Sequence, residues 1–207
     1  MSNIYKLIIL STLLIFGCKS KVIEQSGIVQ KIDNLDLIIY SKDGNKIYSI
    51  KSPNSSYDRL SNTLNLNKTT INLFNKKKIK YIITSDKSKL SNNQKILELI
   101  GNVEIKNKEY DNEILKADNF FWNINDSNYM LKGNVKFENT NIVLTSNKAL
   151  MKDKNIIEFF NPVKYINKVN YNDRKYEIKA ENAFYNVKTK SVNFSADDTR
   201  VRSKIYF

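Results

Sequence analysis

The sequence predicts an all-β fold, antiparallel and built from repeated strand pairs. Three observations carry this. After residue 20 no window holds a helical period, whereas apolar and polar residues alternate widely. Short polar turns punctuate the alternation at regular intervals, led by Asp43-Gly44, the strongest hairpin signal in the chain. A pair of short motifs then recurs at fixed offsets through the C-terminal half.

The hairpins come in order. Ile39 and Ile47 flank Asp43-Gly44. Lys76-Lys77-Lys78 separates the apolar run Leu64–Phe74 from Ile79–Thr84 and reads as a solvated connection. Leu90 to Ile100 comes nearest to a helix, but Asn92-Asn93 interrupts it. Trp122, Tyr129 and Leu131 flank Asn125-Asp126. Met151, Ile157 and Phe159 flank Asp153-Lys154. Val187, Val192 and Phe194 flank Lys188-Thr189-Lys190.

Leu99-Ile100-Gly101-Asn102-Val103-Glu104-Ile105 and Leu131-Lys132-Gly133-Asn134-Val135-Lys136-Phe137 are copies 32 residues apart, and Phe159-Phe160-Asn161-Pro162-Val163-Lys164-Tyr165 is a degenerate third. A second element precedes each, as Ile83-Thr84-Ser85-Asp86, Leu115-Lys116-Ala117-Asp118 and Leu144-Thr145-Ser146-Asn147, and recurs once more as Ile178-Lys179-Ala180-Glu181. Five positions after each Ser or Ala stands Leu90, Trp122, Met151 or Tyr185. Our reading is that the small residue points inward where the sheet curves too tightly for bulk. The acid or amide then faces outward or bonds a nearby turn, and Gly101 and Gly133 mark a bulge or a close backbone approach.

Composition limits the chemistry. The 207 residues contain no His and one Cys, Cys18, which removes His-based catalysis, an internal disulfide and Cys/His metal sites. Asp197-Asp198 is the one Asp pair, and neighbours in a strand face opposite ways. Asp86 and Asp118 belong to different repeat units. No catalytic or metal site and no cofactor is therefore expected. The net charge is +13, a field that favours anionic partners, although most Lys alternate along strands as a solvated face would.

Lys6 followed by the apolar run Leu7–Phe16 fits a signal peptide better than a spanning helix, being too short to cross a bilayer. Ile15-Phe16-Gly17-Cys18 resembles a bacterial lipobox. The expected organisation is a signal peptide over 1–17, a tether over 18–26 lipidated at Cys18, and a β-domain over 27–207. An uncleaved N-terminal anchor is the alternative. Both place residues 19–207 outside the cytoplasm, which also argues against a nucleic-acid partner.

The two motifs, in their order and spacing, resemble the LptC family of lipopolysaccharide-transport β-jellyrolls. So does the stretch Tyr48-Ser49-Ile50-Lys51-Ser52-Pro53 followed by Tyr57-Asp58. The resemblance spans residues 35 to 202. It implies a twisted, V-shaped antiparallel β-jellyroll of two sheets with an apolar interior. It also implies a periplasmic component at the inner membrane, which receives lipopolysaccharide from the LptBFG transporter and passes it to LptA. Family members usually carry an uncleaved membrane helix, and the lipobox departs from that.

Inward rows suited to acyl chains are Leu90, Trp122, Met151 and Tyr185; Leu99, Leu131, Phe159 and Phe194; and Val103, Val135 and Val163, extended by Ile105, Phe137 and Tyr165. The expected lipid contacts are Trp122, Phe137, Tyr165, Tyr185, Leu99, Leu131 and Phe159. The expected partner edges are Leu37, Ile39, Ile47 and Ile50 towards the transporter, and Val192 and Phe194 towards an LptA-like protein. The residues alone leave alternatives open. The rows equally suit a filled β-sandwich core, so a structural envelope lipoprotein binding other β-proteins stands beside the lipid carrier, with a carbohydrate-acting β-solenoid third.

Overall fold

A computed structural model describes residues 29–206, apart from 92, 94, 110–112, 125–127, 154, 172–173 and 199. The expected signal peptide over 1–17 and the expected tether over 18–26 with Cys18 lie outside the described residues, as do parts of the Asn125-Asp126 and Asp153-Lys154 turns. The strands are β1 Val29–Tyr40, β2 Lys46–Asp58, β3 Thr63–Asn75, β4 Lys78–Ser91, β5 Ile96–Asn107, β6 Ile114–Asn123, β7 Asn128–Glu138, β8 Ile142–Asp153, β9 Ile156–Tyr171, β10 Arg174–Asn186, β11 Val192–Ser195 and β12 Arg202–Tyr206. All pairings are antiparallel. Each strand pairs with the next from β1 to β11, and β12 returns to pair with β10. The all-β antiparallel expectation is met.

Strands of 10 to 16 residues are long for a globular protein, and the repeated motifs explain how they are accommodated. Pairing breaks near the middle of β4 through β10, between Thr84 and Lys87, Ile100 and Val103, Lys116 and Asn119, Lys132 and Val135, Thr145 and Lys148, and Ala180 and Asn182. At these points Gly101-Asn102 and Gly133-Asn134 each place two successive residues at positive φ, between 46° and 79°. Glycine tolerates that region freely and asparagine better than other side chains. The paired breaks line up across the sheet as a crease. β11 and β12 carry the same pattern furthest: they pair with the two halves of β10, and the crease between them is an open stretch.

The small residue does sit at the inner side of the crease. Ser52, Ser85, Ala117, Ser146 and Ala180 are all buried. The serine hydroxyls bond the carbonyl two residues ahead, Ser52 to Asn54 at 2.8 Å, Ser85 to Lys87 at 3.2 Å and Ser146 to Lys148 at 2.9 Å. Each thus satisfies a backbone group in a stretch where strand pairing is interrupted. The acid beside it faces outward, and its partner is on the adjacent strand. Asn102 Nδ2 donates to Asp86 at 2.8 Å, and Asn134 Nδ2 to Asp118 at 2.9 Å. Glu181 accepts the Asp197 amide at 2.8 Å. So the acid of one strand holds the Gly-Asn of the next, which is why the two motifs travel together.

The crease folds the sheet into two facing layers. Tyr48 of one layer meets Trp122 of the other edge-on at 5.5 Å, and Phe137 meets Tyr185 at 4.4 Å and Phe159 at 6.4 Å. The predicted rows are real cross-strand rows. Leu99, Phe120, Leu131, Ala149, Phe159, Ala183 and Phe194 lie side by side in register. Large residues alternate with Ala149 and Ala183 where β8 and β10 cross the row, leaving room for the opposing rings.

The outer face bears the lysines, and carboxylates neutralise several. Glu104 takes Lys106 at 2.7 Å and Lys116 at 2.9 Å. Glu138 takes Lys136 at 2.7 Å and also Lys168. The Lys136 and Lys168 ammonium groups lower the Glu138 pKa to about 2 from an ordinary 4.5. A depressed carboxyl stabilises the folded state above its unfolded pKa and loses that contribution as pH falls through the folded one. Thermal melts should therefore show stability declining between pH 4.5 and 2. Because these groups are solvated, the acid-sensitive part should be small and should shrink with added salt.

Candidate functional site: the interior between the layers

The site is the apolar space between the two layers, bounded on one side by the crease. The residues expected to meet lipid converge there. Leu99, Leu131, Phe159, Phe137, Trp122 and Tyr185 are all buried between the layers. Tyr165 is half-buried and packs edge-on against Phe194 at 5.3 Å. Trp122 stacks on Tyr129 at 5.4 Å. Its indole N–H is buried with no acceptor among the described residues. Burial pushes the Tyr48 phenol up to about 12 and also raises those of Tyr129 and Tyr165.

The interior is largely filled. A cavity of about 70 Å³ remains, lined by Leu73, Ile105, Phe120, Leu131, Phe137 and Met151 among others. That is far less than an acyl chain occupies, so a chain can enter only if the layers part. Half-buried Leu73, Tyr81, Tyr129, Met151 and Val187 mark where the cavity approaches solvent, at the strand ends away from the crease.

One group at that mouth gave no signal in the sequence. Glu113, in the turn between β5 and β6, is 7% exposed and lines the apolar cavity. Its carboxylate accepts the Tyr185 hydroxyl at 2.8 Å, the Asn107 side-chain amide at 3.0 Å and the Lys190 ammonium. Sequence reading missed it because a single Glu in a turn belongs to no repeat. Its cross-layer partners, Tyr185 and Lys190, lie 72 and 77 residues away, on the opposite layer and the turn that follows it.

The edges are only partly where expected. β1 is one free edge of the sheet, with Leu37 and Ile39 half-buried on it. β2 is paired on both sides, so Ile47 and Ile50 stand one strand in. Ile50, facing Leu37 and Ile71, is 0% exposed. The backbone groups open to a partner on this side therefore belong to β1. At the other end β11, with Val192 and Phe194, and β12 each pair only with β10. The two ends do not pair with each other among the described residues, so the fold is an open trough and not a closed barrel.

Among the described residues no group of three or more Cys, Asp or Glu could hold a metal, and no helix is long and apolar enough to cross a membrane. No curated protein sequence matches the chain. Among solved structures, LptH of Pseudomonas aeruginosa, the LptA-homologous periplasmic component of the lipopolysaccharide transport device, is similar over 77% of this chain and 94% of its own. The identity is 9% and the TM-score 0.32, too loose for either shape to be read from the other. The family model for LptC-related lipopolysaccharide-assembly proteins matches residues 9–151, most of the chain. With a creased two-layer sheet, an apolar interior and the repeated crease motifs behind it, the chain belongs to the LptC-related family of lipopolysaccharide-assembly proteins, which serve lipopolysaccharide transport and are not enzymes.

Proposed function

We propose that this protein receives lipopolysaccharide from the LptBFG transporter at the inner membrane and passes it to an LptA-like bridge protein. In transit the acyl chains lie between its two layers. The observation that carries the reading is an apolar two-layer trough with a free strand edge at each end among the described residues, in a chain of the LptC-related family. Each part of that geometry has a use. The interior offers acyl chains a dry environment worth about 25 cal/mol for each Å² buried. The free edges let a partner's strand continue the sheet through backbone hydrogen bonds.

In this reading β1 faces the transporter, and β11 with β12 faces the LptA-like protein. Trp122, Phe137, Tyr165, Tyr185, Leu99, Leu131 and Phe159 are the acyl-chain contacts. Cys18, acylated, tethers the domain on the periplasmic side of the inner membrane, because several inserted chains anchor firmly where one does not. Outer-membrane anchorage would serve a different handover. Transfer needs no bond chemistry in this protein, and direction comes from the transporter's ATP hydrolysis.

The filled interior favours a second reading, a structural envelope lipoprotein that binds β-proteins by its edges without carrying lipid. Photo-crosslinking separates the two. A photoreactive residue at Phe137 should capture labelled lipopolysaccharide in cells with an active transporter. One at Ile39 on β1 should capture protein. Protein adducts at Ile39 with no lipid at Phe137 would leave the structural reading standing.

A further inference from the structure

We propose that Glu113, with Tyr185 and Lys190, forms a latch that holds the two layers shut over the apolar cavity and must release before an acyl chain can enter. The inference rests on the lipid-carrying reading above. It starts from the contrast between Glu113 and its surroundings. The cavity beside it is lined almost wholly by apolar side chains. At its mouth one buried carboxylate gathers three donors: Asn107, on its own layer, Tyr185 at the end of β10, and Lys190 in the turn beyond. The Tyr185 and Lys190 contacts cross from one layer to the other.

The placement suits a fastening that opens. A buried ion pair is a poor way to obtain stability alone, since apolar side chains of similar volume often serve as well or better. It differs from an apolar seam in what happens on parting. When the layers separate, water solvates the carboxylate and the ammonium, so part of the lost interaction is recovered. An apolar seam would instead expose its surface to water. Glu113 is tied to its own layer by the backbone amide of Asn107, which donates to the Glu113 carbonyl at 3.1 Å. Release therefore breaks the cross-layer bonds and leaves Glu113 bonded to its own layer. Tyr185 also makes the cross-layer ring contact with Phe137, which lines the cavity, so opening of the latch frees that contact as well.

The test uses the full chain with two latch-breaking variants. Glu113→Gln keeps the shape and loses the charge. Lys190→Met removes the partner from a turn position whose side chain is about one-third exposed. Lys190→Arg, which keeps the pair, serves as the conservative control. Hydrogen exchange is read at residues 184–190 and at the central row around Leu99. The latch predicts exchange at 184–190 faster by on the order of tenfold in both breaking variants, as the loss of a charge-assisted bond implies. Exchange at Leu99 should not change, and Lys190→Arg should behave as wild type. Capture of labelled lipopolysaccharide at a photoreactive Phe137 position should rise in the breaking variants.

Exchange that rises equally at Leu99, or at neither place, overturns the latch. Capture by wild type that the breaking variants do not exceed also overturns it, with the lipid reading intact. No capture by any of the proteins, wild type included, overturns the lipid reading and takes the gating role with it.

Discussion

Gly133→Ala should cost about 2–4 kcal/mol of folding stability, measured by urea unfolding, from left-handed backbone strain together with a steric clash. The residue sits at φ 75°, and a Cβ there would lie 2.4 Å from Asp118 Oδ2 and 3.0 Å from Asp118 Cβ. Gly44→Ala is the internal control. Gly44 has nearly the same φ, 76°, with nothing within 4 Å of its Cβ position, so it should lose only the backbone part, about 1 kcal/mol. The difference between the two is the crease contact itself. Gly101→Ala should fall between them, because the nearest atom is the carboxylate oxygen of Asp86 at 2.8 Å. Adding Asp118→Ala to Gly133→Ala should return part of the loss, by removing the carboxylate while leaving the Cβ contact. Equal costs at Gly133 and Gly44 would mean that the crease does not depend on this close approach.

The same contact shows where the sequence was readable and where it was not. The small residue, the acid and the Gly-Asn pair are local in the chain and recur, so their spacing exposed the repeat and the bulge. The acid's partner was harder to find. Asp118 and Asn134 are 16 residues apart, and only strand register brings them together. The crease also runs through strands that lack the motif. β1 turns at Asn34 and β3 at Lys68, both at positive φ, and nothing marks a lysine for that role. The inward rows were legible because alternation assigns faces reliably when one face is buried. Which strand forms the edge was not, since Ile39 and Ile50 carry the same apolar signal and differ only in whether another strand lies beyond. Glu113 is the extreme case, because its meaning depends on two layers meeting far from the crease.

Phe159→Ala should lower stability by about 3–5 kcal/mol, the largest single loss expected, because the site has little means of collapse. The side chain is 0% exposed, and its neighbours in the row on both sides are alanines, Ala149 and Ala183, which cannot reach into the space. Phe137 at 6.4 Å is the ring best placed to lean in from the opposite layer. The void should be apolar and dry, and such voids accept apolar guests. An alkyl-chain ligand offered at about one hundred times its Kd then raises stability by about 2.7 kcal/mol through mass action. This makes the variant informative about function as well as packing. In wild type the same ligand must first part the layers, so its stabilising effect should be weaker at equal concentration. If the ligand instead stabilises both proteins equally, the chain's path avoids Phe159, and the acyl contacts lie closer to the mouth, around Phe137 and Met151.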